Sequence, residues 1–252
     1  MERDYRIYED IAHRTNGDIY IGVVGPVRTG KSTFIKRFMD GLVIPNIHNQ
    51  YERERAIDET PQSGSGRTIM TTEPKFVPNE AVTVTMDNNA VMNVRLVDCV
   101  GYLVKSALGY MEDELPRMVH TPWFEQAIPF QEAAEMGTRK VIREHSSIAI
   151  VMTTDGSFTN VPREEYEEAE EKVIAELEES RKPFIVILNS AKPDNPETRQ
   201  MAENLTEKYN RPVIPLDCIN MTIRDINYAM QTILYEFPVR EVAVDIPRWV
   251  TR

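Results

Sequence analysis

Residues 25–32 read Gly25-Pro26-Val27-Arg28-Thr29-Gly30-Lys31-Ser32 and match the spacing G-x-x-x-x-G-K-[ST] at every fixed position. This spacing is typical of a phosphate-binding loop, because its glycines permit a tight turn whose N–H groups converge on phosphate oxygens. In such a loop Lys31 reaches the β- and γ-phosphates, and the hydroxyl of Ser32 can hold Mg²⁺. Apolar residues 18–24 predict a strand before the loop, and residues 33–39 predict a helix after it. The sequence therefore predicts a nucleotide site that includes every residue from Gly25 to Thr33.

A second candidate lies at the end of another predicted strand. Residues 91–98 are strand-like and end in Asp98, which forms a D-x-x-G motif with Gly101. In P-loop enzymes an acid at this place binds Mg²⁺, usually through water, and the glycine N–H can meet the γ-phosphate. The motif is weak alone, but after a complete phosphate loop it predicts a metal role for Asp98 and a nucleotide contact for Gly101.

The charge balance argues against nucleic acid as a partner. The 252 residues include 29 basic and 40 acidic ones, for a formal net charge of −11, whereas a duplex-binding protein shows a basic excess or stripe. The chain has no apolar run near about 18 residues and no charged-then-apolar leader, so we expect no transmembrane segment, no signal peptide and a cytoplasmic location. Cys99 and Cys218 lie far apart without a C-x-x-C or histidine pairing, so we expect reduced thiols and no zinc site.

The order of the predicted elements favours an α/β fold. Residues 82–86 and 91–98 read as strands joined by a turn at 87–89, and two strands so closely joined must be antiparallel. Apolar runs at 147–152 and 183–188 suit buried parallel strands, with an acidic helix between them. We therefore expect a three-layer P-loop NTPase fold of the GTPase-like (TRAFAC) type, with a mostly parallel sheet and one antiparallel strand. Further predicted elements are a strand at 212–216, a helix at 222–236 and a last strand at 240–247.

One domain is predicted over residues 1–252, because no repeat and no convincing linker divides the chain. Two irregular segments, 43–78 and 102–130, exceed the usual loop length and occupy the positions of the two nucleotide-sensing switches. One hydroxyl of Thr71 and Thr72 could meet Mg²⁺ and the γ-phosphate, although two ordinary threonines at a strand edge would look the same. The predicted parts are the strand, phosphate loop and helix at 17–41, a switch I-like region at 42–78, strands and a switch II-like region at 79–130, and the remaining α/β units at 131–252.

Four stretches together resemble one known family. They are residues 25–33, residues 68–78, residues 96–102 and residues 132–142. In this combination the sequence resembles the stage IV sporulation protein A family, the coat-morphogenetic ATPases of endospore-forming bacteria. The likeness runs through essentially the whole chain. Because a middle and a C-terminal region follow the nucleotide domain in that family, the resemblance implies that the chain corresponds to the ATPase domain.

The resemblance also implies an activity, a location and partners. Members hydrolyse ATP at the β–γ phosphoanhydride bond with Mg²⁺, and hydrolysis drives self-association into a polymer at the base of the spore coat. By position, Lys31 is the phosphate-loop lysine, Asp98 the Mg²⁺-associated acid, and Thr71-Thr72 the pair that senses the γ-phosphate. The family acts in the mother-cell cytoplasm, peripherally at the forespore outer membrane. Other coat morphogenetic proteins and a small amphipathic membrane-anchor peptide bind chiefly through the family's later regions.

The choice of base is predicted from residues 189–192, Asn189-Ser190-Ala191-Lys192. Guanine-specific relatives carry Asn-Lys-x-Asp here, and their aspartate accepts the guanine N1–H and amino protons. Lys192 offers donors only, so GTP loses its advantage, ATP becomes acceptable, and Asn189 remains a nucleotide-binding residue. Asp194 could replace the missing acid only if the loop were rearranged. A GTP-dependent switch and a nucleotide-stabilised scaffold with little turnover stay open as alternatives to an ATPase.

Arg28 is the candidate for stabilising charge in the transition state. Ras-like enzymes place a water-orienting Gln directly after D-x-x-G, but this chain has Tyr102 there. The sequence from Arg28 to Ser32 resembles the phosphate loop of atlastins and guanylate-binding proteins, in which this arginine acts as an internal arginine finger. The alternative is an ordinary ion pair between Arg28 and an acid such as one in the segment 102–130.

Overall fold

The structure is a computed structural model, and it describes residues 14–15, 17–61, 73–85, 91–106, 111–112 and 115–237. Three predictions lie outside these residues: the roles of Thr71 and Thr72, the turn at 87–89 and the last strand at 240–247. Within the described ranges, none of the helices combines the length and the apolar content that a membrane crossing needs.

The described elements alternate along the chain as predicted for an α/β fold. The strands are β1 (Asp18–Val24), β2 (Lys75–Thr85), β3 (Val91–Asp98), β4 (Met111–Glu112), β5 (Leu115–Pro116), β6 (Met118–Val119), β7 (Ile128–Pro129), β8 (Ile148–Thr154), β9 (Phe184–Asn189) and β10 (Val213–Leu216). The helices are α1 (Lys31–Phe38), α2 (Gln50–Glu59), α3 (Phe130–Lys140), α4 (Glu164–Ser180), α5 (Pro196–Tyr209) and α6 (Ile223–Tyr235). π-helical turns at Met39–Val43 and Val141–His145 extend α1 and α3, and a 3₁₀ turn spans Ile44–Asn46.

Six strands form the central sheet in the order β10-β9-β8-β1-β3-β2. β1 pairs in parallel with β3 and with β8, and β9 pairs in parallel with β8 and with β10. β2 is antiparallel to β3. Every residue of β8 and β9 is buried, as expected for parallel strands covered on both faces. The predicted mostly parallel sheet with one antiparallel strand is confirmed.

Helices cover both faces of the sheet and complete the three predicted layers. On one face α1 and α6 bury Phe34, Phe38 and Ile226 against the inner side chains of the strands. On the other face α4, α5 and the turn that extends α3 form a second core, in which Tyr166 and Leu177 are buried. The first turn of α4 is acidic, where the helix dipole favours carboxylates, so the predicted acidic helix between the two strands is confirmed, although Glu170 within it is buried.

Two predicted boundaries are wrong. The segment 43–78, expected to be irregular, contains α2, whose start is capped by the side chain of Asn49 accepting two backbone N–H groups. Strand β2 begins at Lys75 rather than near Val82, because the chain keeps pairing with β3 across a register shift between Val77 and Val82. The second long segment also contains regular structure, the short antiparallel pairs β4–β5 and β6–β7.

Candidate nucleotide site

The predicted phosphate loop connects the end of β1 to the start of α1. Ligands of open α/β sheets bind outside the carboxyl ends of the parallel strands, and β1, β3 and β9 bring this loop, Asp98 and Asn189 to that edge. Gly30 is the N-cap of α1 in a left-handed conformation (φ 91°) and makes no side-chain cap. The first N–H groups of α1 are therefore suited to an anion, which the helix dipole also favours.

Three glycines let the segments of the site approach one another. Gly25 has a φ of 138°, and a Cβ there would overlap the carbonyl oxygen of Met152 on β8. A Cβ on Gly101 would overlap the carbonyl oxygen of Gly25. At Gly30 a Cβ would overlap the side-chain amide of Asn189. A larger residue at any of the three positions would therefore push the loop away from its neighbours.

The side chain of Lys31 is folded back over the loop. Its Nζ donates to the carbonyl oxygens of Pro26 (2.6 Å) and Gly25 (3.3 Å), and the residue is only 6% exposed. Burial lowers the pKa of Lys31, and the neighbouring Cys99 and Asp98 oppose that shift. Negative charge on a bound phosphate would compensate the desolvation of this ammonium group.

Asp98 has one satisfied and one unsatisfied oxygen. Ser32 Oγ donates to Asp98 Oδ2 at 2.8 Å. Asp98 Oδ1 is inaccessible to solvent and has no hydrogen-bond partner among the described residues. Burial raises the pKa of Asp98, and the charge of Lys31 and the bond from Ser32 oppose the rise. A buried carboxylate oxygen left open beside a hydroxyl suits a hard cation such as Mg²⁺.

The metal ligands available at the site suit a cation that binds together with a phosphate group. Across the described ranges, no group of three His, Cys, Asp or Glu side chains is placed to hold a metal. Mg²⁺ at phosphate sites usually keeps several waters and takes one or two carboxylates plus phosphate oxygens. Ser32 and Asp98 match this requirement, because they supply one hydroxyl and one carboxylate and leave the other positions to water and phosphate.

The side chain of Asn189 is hydrogen-bonded to the phosphate loop. Its Nδ2 donates to the carbonyl oxygen of Thr29 at 3.0 Å, and its Oδ1 accepts from the N–H of Cys218 at 3.1 Å. Thr29 is fully buried and donates through Oγ1 to the carbonyl oxygen of Pro26 at 2.9 Å. The predicted nucleotide residue Asn189 therefore joins the phosphate loop to the loop that follows β10.

A small pocket of about 100 Å³ opens beside Gly30 and Asn189. Phe158 belongs to the loop after β8, and Asp217 and Ile219 to the loop after β10. These three residues were not predicted from the sequence, although their loops leave the carboxyl ends of parallel strands, where ligands of this fold bind. Thr33, Ser190 and Ala191 complete the lining.

Asp194 is paired at the surface. Its Oδ1 accepts from Arg199 Nη2 at 2.6 Å, and its side chain is 91% exposed. It does not line the pocket beside Asn189. Asp194 thus lies in an exposed ion pair outside that pocket.

Arg28 lies within the phosphate loop, and Tyr102 pairs with the loop through its backbone. Arg28 adopts a φ of 62°, in the left-handed region that is uncommon for residues other than glycine. Burial raises the pKa of Tyr166, and a hydrogen bond with Thr159 and the nearby charge of Arg28 oppose this rise, so Arg28 lies within electrostatic range of Tyr166. The carbonyl of Tyr102 accepts from the N–H of Val27 at 2.9 Å, which occupies that donor of the loop. The finger role of Arg28 stays a prediction.

These features define a P-loop nucleotide-binding domain with an α/β fold. The family model described as "Stage IV sporulation protein A, ATPase domain" matches residues 1–238. The chain is 57% identical over 244 residues to stage IV sporulation protein A of Bacillus anthracis and, equally, to that of Bacillus subtilis (strain 168). It is 53% identical over 244 residues to that of Clostridioides difficile (strain 630). Each alignment covers 97% of this chain and 50% of the relative.

The chain belongs to the stage IV sporulation protein A family and contains its ATPase domain. It spans about half the length of the curated relatives that it matches. The family membership predicted from the phosphate loop, the D-x-x-G motif and the flanking stretches is confirmed.

Proposed function

We propose that this chain is a Mg²⁺-dependent ATP hydrolase that cleaves the β–γ phosphoanhydride bond, and that hydrolysis drives self-assembly of a basement layer of the spore coat on the forespore surface. The observation that carries the catalytic part is the open Oδ1 of Asp98 beside Ser32, next to a complete phosphate-loop sequence. Membership in a family of sporulation ATPase domains supports the link to the coat.

The loop residues 25–33 bind the phosphates in this proposal. The loop N–H groups that remain available, after the one of Val27 that bonds to Tyr102, hold the β-phosphate together with the start of α1. Lys31 leaves the carbonyl oxygens of Pro26 and Gly25 and bonds instead to the β- and γ-oxygens, which remain negatively charged throughout the reaction. Gly101, held against the loop with a φ of 90°, presents its N–H to the γ-phosphate.

The metal-facing groups are Ser32, Asp98 and one of the two threonines Thr71 and Thr72. Ser32 and Asp98 already share a hydrogen bond, so they are close enough to act on one cation. Mg²⁺ bound there supplies neutralisation of the charge that develops on the phosphate oxygens. Thr71 and Thr72 lie outside the described residues, and we propose that they sense the γ-phosphate.

Arg28 is proposed as an internal arginine finger. Its neighbourhood near Tyr166 supports a position beside the loop, from which a long side chain can swing over the phosphates. A finger contributes on the order of 10³ to 10⁵ in rate, whereas an exposed ion pair contributes at most about 1 kcal/mol of stability. Near-parental turnover of Arg28→Ala, at a protein concentration that permits assembly, contradicts the finger. Arg28→Lys keeps the charge but loses the planar fork, so it should not restore turnover.

ATP is proposed as the substrate because the guanine reader is missing. Lys192 stands where guanine-specific relatives carry an aspartate, and Asp194 is held at the surface by Arg199. Donors alone cannot accept the N1–H and amino protons of guanine.

The cellular role extends beyond this chain's own contacts. We propose a peripheral location at the forespore outer membrane on the mother-cell side. Self-association gives the polymer, while other coat morphogenetic proteins and a small amphipathic anchor peptide bind mainly through the regions that follow the ATPase domain in the longer relatives.

A nucleotide panel tests the proposed reaction. We expect multiple-turnover phosphate release with MgATP, and a GTP preference in kcat/KM below about tenfold. Lys31→Ala should weaken ATP binding in a calorimetric titration, since a charge on the phosphates is lost. A stronger GTP preference would identify a GTP-dependent switch, and binding without turnover would identify a scaffold. Parental ATP affinity in Lys31→Ala would contradict the loop assignment.

A further inference from the structure

Helix α4 carries two carboxylates that each meet an arginine and a tyrosine, and the two groups differ in how completely they are bonded. In the first group, Glu170 accepts from Arg163 Nη2 at 2.8 Å, from the hydroxyl of Tyr209 and from the hydroxyl of Thr153. We call these four residues the Glu170 cluster. Both oxygens of the Glu170 carboxylate accept hydrogen bonds, so this carboxylate has no unsatisfied polar atom.

The second group, the Glu176 cluster, consists of Glu176, Arg139 of α3 and Tyr102. Arg139 Nε donates to Glu176 Oε1 at 3.0 Å. Glu176 Oε2 and the phenol oxygen of Tyr102 are both inaccessible to solvent, and neither has a hydrogen-bond partner among the described residues. The two groups are close neighbours whose present geometry falls short of a full hydrogen bond: after burial, hydrogen bonding to Glu176 and its charge are the strongest influences that raise the pKa of Tyr102.

Two unpartnered polar atoms this close can form one hydrogen bond. A phenol donates and a carboxylate accepts, so the bond is chemically matched, and either a small movement or a single water would complete it. Leaving both groups buried and unbonded is costly, which favours a state of the protein in which they meet. Beside Tyr102 a cavity of about 220 Å³, lined by Leu103, Glu135 and Ala169 among others, provides room for that movement.

The backbone of Tyr102 connects this cluster to the nucleotide site. Tyr102 directly follows Gly101, and its carbonyl accepts from the N–H of Val27 in the phosphate loop at 2.9 Å. Pro26 and Tyr102 also pair as a parallel β-bridge. Further along, the N–H of Ser106 donates to Glu165 of α4 at 2.9 Å. The segment 102–106 is thus attached to the loop at one end and to α4 at the other.

We propose that Tyr102 is a positioning residue for the hydrolysis proposed above, on which this inference rests. Its phenol bonds to Glu176, which Arg139 holds in place, and this bond fixes the backbone at Gly101 so that the glycine N–H faces the γ-phosphate. Tyr102 touches no reacting atom in this role. It acts through the placement of Gly101, and misplacing a donor by a fraction of an ångström lowers turnover more than binding.

Tyr102→Phe tests the inference, with Tyr209→Phe as its matched control. Both changes remove a buried phenol hydroxyl that faces a glutamate of α4, but only Tyr102 is attached to the phosphate loop. We expect Tyr102→Phe to lower kcat about tenfold while the KM for ATP and the affinity for ADP stay within about twofold. Tyr209→Phe should lower the melting temperature and leave the kcat of the folded protein unchanged.

A second variant checks that the phenol acts through Glu176. Glu176→Gln keeps a carbonyl acceptor for the phenol, so its kcat should fall less than about threefold, and adding it to Tyr102→Phe should slow turnover no further. Parental kcat in Tyr102→Phe, or an equal loss of kcat in Tyr209→Phe, would overturn the inference while leaving the ATPase proposal intact. A parent that releases no phosphate from MgATP would overturn the proposed function, and this inference with it.

Discussion

Asp98 and Glu170 each have a carboxylate oxygen that water does not reach, yet the two residues differ in what surrounds that oxygen. Every oxygen of Glu170 is hydrogen-bonded, to Arg163, Tyr209 and Thr153. Asp98 has one oxygen bonded to Ser32 and one with no partner in the described part of the chain. A buried charge that the protein itself satisfies supports the fold, whereas one left open at the edge of a sheet is suited to a ligand. The contrast predicts which substitutions damage stability and which damage chemistry.

The largest expected effect is on the stability of the Glu170 cluster. Glu170→Ala leaves the guanidinium of Arg163, whose side chain is 11% exposed, buried without its partner. We expect the free energy of unfolding to fall by about 3–5 kcal/mol, measured by urea denaturation. Glu168→Ala, which removes an exposed carboxylate of the same helix, is the control and should unfold like the parent. If Glu170→Ala unfolded at the same urea concentration as the parent, the claim that the Glu170 cluster stabilises the fold would be contradicted.

The next effect is on turnover at Asp98. Asp98→Asn keeps the shape and an acceptor for Ser32 but removes the negative charge that is proposed to face Mg²⁺. We expect ATP turnover to fall at least about 100-fold, with ADP affinity changed much less, because charge stabilisation worth several kcal/mol is lost mainly in the transition state. Phosphate release and a calorimetric ADP titration measure the two quantities. Loss of ADP binding in proportion to turnover would point to a damaged loop instead.

A smaller effect is expected at Thr153 in the Glu170 cluster. Thr153→Val removes the hydroxyl that donates to Glu170 and leaves that carboxylate oxygen without its partner. The free energy of unfolding should fall by about 1–3 kcal/mol, and Thr153→Ser should recover most of it. If Thr153→Val were as stable as the parent, the cluster would tolerate a carboxylate oxygen without a hydrogen bond. An unpartnered oxygen at Asp98 would then no longer indicate a ligand site.

The smallest effect is expected for Asp98→Asn on the stability of the nucleotide-free protein. Burial raises the pKa of Asp98, so the folded protein holds the carboxyl proton more tightly than the unfolded chain does. Ionisation therefore costs stability as the pH rises above the ordinary value of 3.8, and asparagine removes that cost. Thermal unfolding at neutral pH should show no loss in the variant. A loss as large as that of Glu170→Ala would make Asp98 a structural carboxylate.

The parts of the molecule that were predicted from the sequence have local signals. The phosphate loop is a contiguous motif, Asp98 ends an apolar strand, and the buried strands β8 and β9 are near-continuous apolar runs. The sequence did not predict helix α2, because Ala56 is its only buried residue and the helix therefore lacks the apolar periodicity of a packed face. Asn49 followed three residues later by Glu52 is a capping pattern that could have located its start.

Other features depend on contacts between distant residues and leave no local trace. The start of β2 at Lys75 follows from pairing with β3 on both sides of a shift that includes Pro78. The pocket residues Phe158 and Asp217 meet only because β8 and β10 end at the same edge of the sheet. A glutamate on α4 reads as surface in the sequence, and only the fold shows that Glu170 is buried.

The dependence of ATP affinity on Mg²⁺ tests most directly whether Asp98 faces the cation of a bound nucleotide. A non-hydrolysable ATP analogue is titrated into the parent and into Asp98→Asn, each with Mg²⁺ and with a chelator. We predict that Mg²⁺ strengthens binding to the parent at least about tenfold and that Asp98→Asn loses this increment. Glu170→Gln changes a carboxylate whose hydrogen bonds all go to residues outside the phosphate loop, so this variant should retain the increment. The same Mg²⁺ increment in the parent and in Asp98→Asn would contradict the assignment.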